Sequence, residues 1–461
     1  MKVALVVPSE KNKNFNELCI PFSLLSIAAY LRNEIPDVEI KVFDGLTGCN
    51  VDEELFKFQP DIVGVTASTP LITTAYLLGD SLRKNRSDIL TVIGGVHASA
   101  LPEEALKHFD IVVVGEGEKA FTQIVIDYSK SKKVMYFRGV ILQGEAISDL
   151  NKLPQLAYDL IDLPKYFQGK QINFQRLHLK EPIMQIMTSR GCVGRCPYCY
   201  NSVAKPKLRF LSPQRVINEL VFLHETYGVT DFFIHDDEFL ADKKRFVEIC
   251  QLAKEQHVTE WFRFVCQTRA QSLHNLDVVK ALKELGCKGC LVGFESHNQR
   301  NLNYMKCCST TLQDQIKAVE NADVVGLPLF GSFILGSPEE TIEEMEDTLD
   351  WMLQIKHDVG FGLLMPFPGT VVFNDYVKKF GGNLDYSKMV MTNKLSASTF
   401  MVDAVIDREE FSQFLARASS LLRIKKRIVD RGLFGVLIFH VFWITLLRYP
   451  SWVVKVVRYH S

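Results

Sequence analysis

Short apolar runs that alternate with helical patterns constrain the fold of this chain more than any other feature. Strands that are apolar on both faces are typical of parallel sheets covered by helices on each side. Residues 1–130 therefore predict an α/β domain with a doubly wound sheet. Its predicted strands are Val3–Val7, Val38–Phe43, Ile62–Thr66, Leu90–Ile93 and Ile111–Val114, and its predicted helices include Phe22–Leu31 and Thr73–Arg83.

Small and polar residues follow the predicted strands of this first domain. In open parallel sheets, ligands bind beyond the carboxyl ends of the strands, and glycine lets a large ligand approach the backbone closely. The sequence thus predicts a ligand site at this edge of the sheet. Its candidate residues are Thr66, Ser68, Thr69, Gly94, Gly95, His97, Gly115, Glu116 and Gly117.

The strand–helix rhythm resumes in residues 181–380, after a predicted connector at 131–180 that has little regular pattern. Strands alternating with helices favour a (β/α) barrel, and six strands rather than eight favour a partial (β/α)6 barrel. The predicted strands are Ile183–Met187, Asp231–His235, Phe262–Gln267, Gly289–Phe294, Pro328–Leu335 and Val359–Met365.

Residues 381–461 form a predicted helical carboxyl-terminal region that contains a strongly apolar segment, 432–447. A membrane-spanning helix needs about 20 apolar residues, so this segment is short for a span. Its basic flanks fit an interfacial helix in peripheral contact with a membrane. A helix packed on the barrel or at a dimer interface fits equally well, and the two interpretations carry equal weight.

Composition restricts the compartment and the partners. Hydrophobic residues make up 47% of the chain and charged residues 23%, which is a globular balance. The net charge of −1 gives no overall field that would attract nucleic acid, so no nucleic-acid partner is expected. The first residues read as a buried strand rather than a secretory signal. The 11 cysteines form no disulfide-like framework, so a reducing, cytoplasmic setting is expected.

Three cysteines lie close together directly after the first predicted barrel strand, at Cys192, Cys196 and Cys199. Three thiolates on one glycine-containing loop can hold a cubane [4Fe–4S] cluster and leave its fourth iron open to a ligand. Zinc is a weaker alternative, because no fourth Cys or His follows at the usual spacing. Inert buried cysteines are also disfavoured, because the residues between them are poor core material.

The C-x-x-x-C-x-x-C spacing, with Tyr198 before the last cysteine, resembles the radical S-adenosylmethionine (SAM) superfamily. The resemblance extends along the barrel in the expected order. Its further segments are Gly293-Phe294-Glu295-Ser296, Gly331 to Thr341 (GSFILGSPEET) and Pro366-Phe367-Pro368-Gly369-Thr370.

This resemblance implies that SAM binds the open iron and that one electron from the cluster cleaves it to methionine and a 5′-deoxyadenosyl radical. It implies a one-electron donor such as flavodoxin or ferredoxin as partner. Acidic and basic residues at strand ends on the same barrel mouth become candidates for contacting SAM. These candidates are Glu295, Arg269, Asp236, Asp237 and Gly336.

The amino-terminal domain, which reads as flavodoxin-like or Rossmann-like, resembles the cobalamin-binding domain of many radical SAM enzymes. The residues that carry this resemblance are Gly94-Gly95-Val96-His97, Pro102-Glu103-Glu104 and Gly115-Glu116-Gly117-Glu118. The resemblance implies that Thr66, Ser68 and Thr69 donate hydrogen bonds to the corrinoid tail. The D-x-H-x-x-G motif that supplies a cobalt ligand elsewhere is absent, and His97 is expected in a hydrogen-bonding or core role. A related domain that has lost its cofactor is the alternative.

The function that the resemblance implies is a cobalamin-dependent C-methyltransferase acting on an unactivated carbon. Oxidative cyclisation or ring rearrangement without methylation is the first alternative, and a non-catalytic cobalamin or iron–sulfur sensor is the second. Methylthiolation is disfavoured, because no second cysteine cluster occurs in the amino-terminal domain. The substrate is expected to be a small molecule, with a lipid as the working hypothesis that the apolar carboxyl-terminal segment suggests.

Overall fold

The fold was obtained as a computed structural model. The structure describes residues 1–9, 18–167, 179–201, 207–382, 384–390, 407–437, 445–446 and 448–460, with the backbone alone for 429–437. Two six-stranded parallel sheets account for most of the described chain.

The first sheet contains every strand predicted for the amino-terminal domain and one more. All its pairings are parallel, in the order β2-β1-β3-β4-β5-β6. This is the order of a doubly wound sheet, whose direction of winding switches between β1 and β3. The strands are β1 (Lys2–Val7), β2 (Glu39–Asp44), β3 (Ile62–Thr66), β4 (Leu90–Gly94), β5 (Ile111–Val114) and β6 (Val140–Gln143).

Strand β6 lies within the stretch predicted to be an irregular connector. It forms the edge of the first sheet, where its residues are half-buried or exposed, whereas β1 and β5 are almost fully buried. The strand has only four residues, and its apolar run of Val140, Ile141 and Leu142 is too short to be told from a loop by its pattern. The first sheet consequently extends beyond residue 130.

Helices cover both faces of this sheet and bury its apolar strands. Short turns connect α1, α2 and α3 to the strands that follow them. The helices are α1 (Phe22–Glu34), α2 (Val51–Phe58), α3 (Ile72–Asn85), α4 (Val96–Ala100), α5 (Pro102–Ala105) and α6 (Glu118–Ser131).

The second sheet is the partial barrel that the sequence predicts. Its strands follow one another in chain order, β7-β10-β11-β12-β13-β14, and all pair in parallel. The strands are β7 (Ile183–Ile186), β10 (Asp231–Ile234), β11 (Arg263–Thr268), β12 (Cys287–Glu295), β13 (Leu329–Leu335) and β14 (Asp358–Leu363); a separate antiparallel ribbon pairs β8 (Ser189–Arg190) with β9 (Arg209–Phe210).

Helices of the barrel alternate with its strands, and several begin with a side-chain cap. Thr311 and Thr341 each form a capping box that satisfies free amides at the start of a helix. These helices are α7 (Pro213–Tyr227), α8 (Lys243–Glu255), α9 (Leu276–Leu285), α10 (Gln299–Lys306), α11 (Leu312–Val325), α12 (Ile342–Gln354) and α13 (Val371–Phe380).

The carboxyl-terminal region is helical, as predicted, with α14 (Arg408–Leu437) and α15 (Pro450–His460). Buried residues such as Phe411 and Leu421 pack these helices against α12 and β13. The apolar segment 432–447 is in part outside the described residues, and the side chains of its first part are not described. Within the described part of the chain, no helix is both long and apolar enough to cross a membrane.

Candidate cofactor site

The three-cysteine loop begins where the first barrel strand ends. After β7 the chain forms β8, and the loop starts at Gly191, which has a φ of +91° that glycine adopts without strain. Strand β9 returns beside β8, with Arg190 opposite Arg209, and so closes the base of the loop. The ribbon of β8 and β9 therefore anchors the cysteines at the carboxyl-terminal mouth of the barrel.

The loop leaves a space between its first two cysteine side chains. The amide of Gly194 donates a hydrogen bond to Sγ of Cys192 at 3.3 Å. A Cβ at Gly194 would lie 3.3 Å from that sulfur, 3.7 Å from Sγ of Cys196 and 3.3 Å from Nη1 of Arg269. A larger residue would therefore fill the cradle between two sulfurs. This geometry fits a cluster that is held by the loop.

The thiols of this loop are partly shielded from water. Burial raises the pKa of Cys199 to about 11. Burial also raises the pKa of Cys192, although the hydrogen bond from Gly194 and the charge of Arg269 act to lower it. A metal lowers thiol pKa values because it binds the thiolate, so these groups need a metal to ionise near neutral pH. The donor set, three soft sulfurs, is the one that iron–sulfur clusters use.

Another group of cysteines comes closer together than the loop cysteines do. Cys266, Cys287 and Cys290 place their sulfurs within 4.8 Å of one another. Among the described residues, they are the one set of three His, Cys, Asp or Glu side chains with ligand atoms this close together. They are fully buried in the apolar core between β11, β12 and the outer helices. Sulfur contacts of 3.8 Å within the group are typical of neutral, packed thiols.

Asp236 was predicted to contact SAM, and the structure corrects this prediction. Its side chain is completely buried. Its carboxylate accepts hydrogen bonds from the amide and the hydroxyl of Thr188, both at 2.5 Å, and from the amide of Ser189 at 3.1 Å. Asp236 therefore holds the chain between β7 and β8 in place and presents no free oxygen to a ligand.

Asp237 and Arg269 do lie beside the cysteine loop. Asp237 accepts a hydrogen bond from Asn201 at 2.8 Å, and its charge contributes to raising the pKa of Cys192. Arg269 donates to the hydroxyl of Ser309 at 2.5 Å, and Nη1 borders the cradle at Gly194. Both residues remain candidates for contacting SAM.

Glu295 ends β12 in a buried ion pair that sequence patterns did not reveal. Its carboxylate lies 2.7 Å from Nζ of Lys306, and both side chains are more than 90% buried. Glu295 also has a φ of +64°, an uncommon conformation for a non-glycine residue that is often found at functional sites. Gly336 has a φ of +82°, and its amide donates to Glu340 at 2.7 Å; its contact with SAM stays a prediction.

A cavity of about 490 Å³ lies at the carboxyl edge of the first sheet, within the usual size range of ligand pockets. Most of the residues that were predicted to bind a ligand at this edge form its lining: Thr66, Ser68, Gly94, Gly95, Gly115, Glu116 and Gly117. The opposite wall comes from the barrel and consists of Met187, Arg190, Tyr200 and Asn201. Because Tyr200 and Asn201 directly follow Cys199, the cavity and the cysteine loop share a wall.

The sheet side of the cavity fits a large, partly apolar ligand that carries polar groups. The hydroxyl of Ser68 is buried and has no hydrogen-bond partner among the described residues, so it is available to a ligand. Gly95 has a φ of +94°, and a Cβ there would lie 2.7 Å from Oγ1 of Thr66. The backbone thus approaches the cavity at a position that only glycine can occupy.

Thr69 and His97 lie outside the cavity lining. His97 is 1% exposed, and its Nδ1 lies 3.2 Å from the hydroxyl of Thr69. The hydrogen-bonding, core role expected of His97 agrees with this position. The proposed hydrogen bond from Thr69 to a corrinoid tail does not, because its hydroxyl faces His97 instead.

Glu116 lines the cavity, but its carboxylate is already paired. It accepts from Arg190 at 3.1 Å, from Arg209 and from the amide of Ile147 at 3.1 Å. A direct contact of this carboxylate with cobalamin stays a prediction, and such a contact would share the carboxylate with the two arginines. The sequence did not reveal Arg190 or Arg209 as partners, because the pairs join two domains that are far apart along the chain.

Comparison with known proteins agrees with this arrangement of two sites. A family model described as "Radical SAM superfamily" matches residues 186–352, and one described as "B12 binding domain" matches residues 13–125. Uncharacterized methyltransferase PH0819 of Pyrococcus horikoshii is 31% identical over 392 residues, which are 80% of this chain and 82% of that protein. This chain belongs to the radical SAM superfamily. It is a member of the group that carries a B12-binding domain.

Two further known proteins are similar to this radical SAM protein. The anaerobic magnesium-protoporphyrin IX monomethyl ester cyclase of Cereibacter sphaeroides is 26% identical over 359 residues, 73% of this chain and 56% of the cyclase. The structure of OxsB, a cobalamin-dependent SAM radical enzyme with aqua-cobalamin and SAM bound, has a TM-score of 0.71 over 97% of this chain and 72% of OxsB, at 16% identity. The latter confirms the predicted fold class. A [4Fe–4S] cluster, SAM and cobalamin are the cofactors of this radical SAM group.

Proposed function

We propose that this protein is a cobalamin-dependent radical SAM C-methyltransferase that acts on an unactivated carbon. The observation that carries the proposal is the wall shared by the cysteine loop and the cavity of the first sheet. A methyl donor and a hydrogen-abstracting centre must both reach the same substrate carbon, and adjacent sites allow this. The methyltransferase named among the relatives supports the same assignment.

The residues of this chain would divide the work as follows. Cys192, Cys196 and Cys199 would hold the cluster, and Asp237 and Arg269 border it where SAM would bind. When bound, the cluster and SAM supply one-electron cleavage chemistry, and cobalamin supplies a transferable methyl group. The protein's own contribution is to orient these groups and to exclude water, because the first sheet and the barrel enclose the cavity between them.

The lining of the first-sheet cavity is the proposed cobalamin site. Thr66 and Ser68 would donate hydrogen bonds, and the glycines at 94, 95, 115 and 117 leave room for the ligand to approach the backbone. Ser68 supports this role because its buried hydroxyl lacks a partner among the described residues.

Oxidative cyclisation is the second candidate, because the cyclase of Cereibacter sphaeroides is a relative. The two reactions leave different products of SAM. A methyltransferase that remethylates its cobalamin releases S-adenosylhomocysteine as well as 5′-deoxyadenosine, whereas a cyclase releases 5′-deoxyadenosine without S-adenosylhomocysteine. A substrate that gains one methylene in mass would identify methylation directly.

The deciding experiment is anaerobic reconstitution of the full chain with iron, sulfide and cobalamin, followed by quantification of both SAM products. We expect both products, with S-adenosylhomocysteine dependent on cobalamin. Cys196→Ala should abolish both, whereas Cys250→Ala, which removes a half-buried thiol outside either site, should not. A wild-type protein that binds zinc instead of iron, or that cleaves no SAM, would overturn the proposal.

The substrate class and the partners are part of the proposal. We infer a small-molecule substrate, a flavodoxin or ferredoxin as electron donor, and a reducing cytoplasmic setting, which the free thiols support. Peripheral membrane contact through segment 432–447 would suit a lipid substrate. Liposome flotation of the full chain and of a chain that ends at residue 431 tests this contact, and equal flotation of the two would refute it.

A further inference from the structure

The two arginines of the ribbon at the base of the cysteine loop point to a link between the domains. Arg190 on β8 and Arg209 on β9 are partners in the antiparallel register. Arg190 lies two residues before Cys192, so its backbone belongs to the start of the loop. A displacement of these side chains would therefore also displace the segment that carries the cysteines.

The guanidinium groups of both arginines reach across to the amino-terminal domain, and Arg209 also donates through Nε to the carbonyl of Lys207 beside it. Arg190 donates to Glu116 at 3.1 Å, to Glu118 at 2.7 Å and to the hydroxyl of Ser26 at 3.0 Å. Arg209 pairs with Glu116 and donates to the carbonyl of Ile147 at 2.5 Å. Ser26 in turn donates to Glu118 at 2.6 Å. The contacts form one network in which two guanidinium groups meet two carboxylates.

This network is partly shielded from water and balanced in charge. The side chains of Glu118 and Arg209 are 4% and 9% exposed, and those of Glu116 and Arg190 are 20% and 22% exposed. Burial alone would raise the pKa of Glu116, but Arg209 and Arg190 hold it below its usual value. Buried pairs of this kind are costly to break, because removing one partner leaves an uncompensated charge. Loss of any one partner would therefore weaken the contact between the two domains.

The carboxylates of the network also belong to the cobalamin cavity. Glu116 and Glu118 lie at the turn between β5 and α6, and both line the cavity, as does Arg190. One set of ion pairs therefore connects the floor of the cavity to the base of the cysteine loop. We propose that Arg190 and Arg209, through Glu116 and Glu118, are positioning residues that fix the distance between the cobalamin cavity and the cluster loop.

This inference rests on the proposed function and gives it a structural requirement. Methyl transfer demands that both cofactors reach one carbon, and a misplacement of about 1 Å can cost about 100-fold in rate. Cleavage of SAM at the cluster demands no such alignment with the cavity. Loosening the network should therefore reduce methyl transfer by a larger factor than it reduces SAM cleavage.

The test compares the wild type with Glu118→Gln and Arg190→Lys, each in the full, reconstituted chain. Pulsed electron paramagnetic resonance of cob(II)alamin and the reduced cluster measures their separation without turnover. We expect a broader or longer distance distribution in both variants. With a methyl acceptor supplied, we also expect about a tenfold or larger fall in methylated product per 5′-deoxyadenosine; without an acceptor, the distance distribution is the readout.

The matched control is Arg263→Lys, which alters another arginine paired with a buried carboxylate. Arg263 pairs with Asp231 on the neighbouring barrel strand, so this pair does not cross between the domains. The control should keep the wild-type distance distribution and product ratio. Ser26→Ala, a milder change, replaces Glu118→Gln if that variant does not fold.

The outcomes separate the two proposals. A wild type that binds cobalamin and cleaves SAM, together with variants whose distance distribution and product ratio match it, refutes the positioning role alone. A wild type that lacks either cofactor, or that produces no S-adenosylhomocysteine, refutes the methyltransferase proposal itself. Similar changes in Arg263→Lys would show a general loss of stability and would also refute the positioning role.

Discussion

Substitution of Gly95 by alanine should damage the cobalamin cavity and the stability of the first sheet. Gly95 has a φ of +94° and a ψ of 178°, a region that is essentially restricted to glycine, and a non-glycine residue there costs about 1–3 kcal/mol. Its Cβ would lie 2.7 Å from Oγ1 of Thr66 and 3.1 Å from the carbonyl of Ala67. Overpacking of this kind adds about 1–3 kcal/mol. We therefore expect a loss of about 2–6 kcal/mol.

Native-state hydrogen exchange of the amides in β3 and β4 measures this loss locally, without assuming that the two domains unfold together. Cobalamin affinity, from absorbance titration, should fall as well, because Thr66 lines the cavity. Gly94→Ala is the matched control: its Cβ would lie no closer than 3.6 Å to another atom, so its cost should stay below about 1 kcal/mol. Equal losses of amide protection in the two variants would refute the reasoning; cobalamin affinity is not compared between them, because Gly94 also lines the cavity.

Three further predictions concern buried groups. Lys306→Met should lower the free energy of unfolding by about 3–5 kcal/mol in urea titrations, because the buried Glu295 carboxyl would lose its partner; a smaller loss in the double variant with Glu295→Leu checks this reason. Burial raises the pKa of Glu340 to about 7 from an ordinary 4.5, so the folded state binds the proton more tightly and loses stability as pH rises from 4.5 through 7. Glu340→Gln should therefore gain up to about 3 kcal/mol relative to the wild type at pH 8 and little at pH 4.5, and equal effects at both would contradict this sign. Leu421→Ala, in the contact of α14 with the barrel, should cost about 2–5 kcal/mol in the same assay, against less than about 0.5 for the exposed Val454→Ala.

Patterns along the chain were sufficient where a structural element is defined by neighbouring residues. Buried parallel strands such as Ile62–Thr66 and Ile111–Val114 are apolar on both faces, and the structure places both as predicted. Edge strand Val140–Gln143 was missed, because its run of three apolar residues is too short to be told from a loop. The cysteine loop could also be predicted from neighbouring residues, because one short loop carries Cys192, Cys196 and Cys199 at a spacing that fits a cluster.

Chemistry-bearing residues were harder to predict than the strands that carry them. Asp236 and Asp237 are adjacent in the sequence, yet one is completely buried against Thr188 and the other lies beside the cysteines. Successive residues at the end of a strand point in different directions, so their neighbours in space decide which of them meets a ligand. Glu116 was similarly predicted as a ligand contact, and only the structure revealed its ion pairs with Arg190 and Arg209.

The sequence by itself determined the two parallel domains, the cysteine loop and the glycine-lined edge, because periodicity, spacing and residue size act over short stretches of chain. Only the tertiary structure decided that the edge of the first domain faces the loop of the second. It also decided that Arg190 and Arg209 are bound to Glu116 and Glu118 across that boundary. Pairing between charges 72 to 93 residues apart depends on how two finished domains dock, and local residue patterns carry no record of that docking.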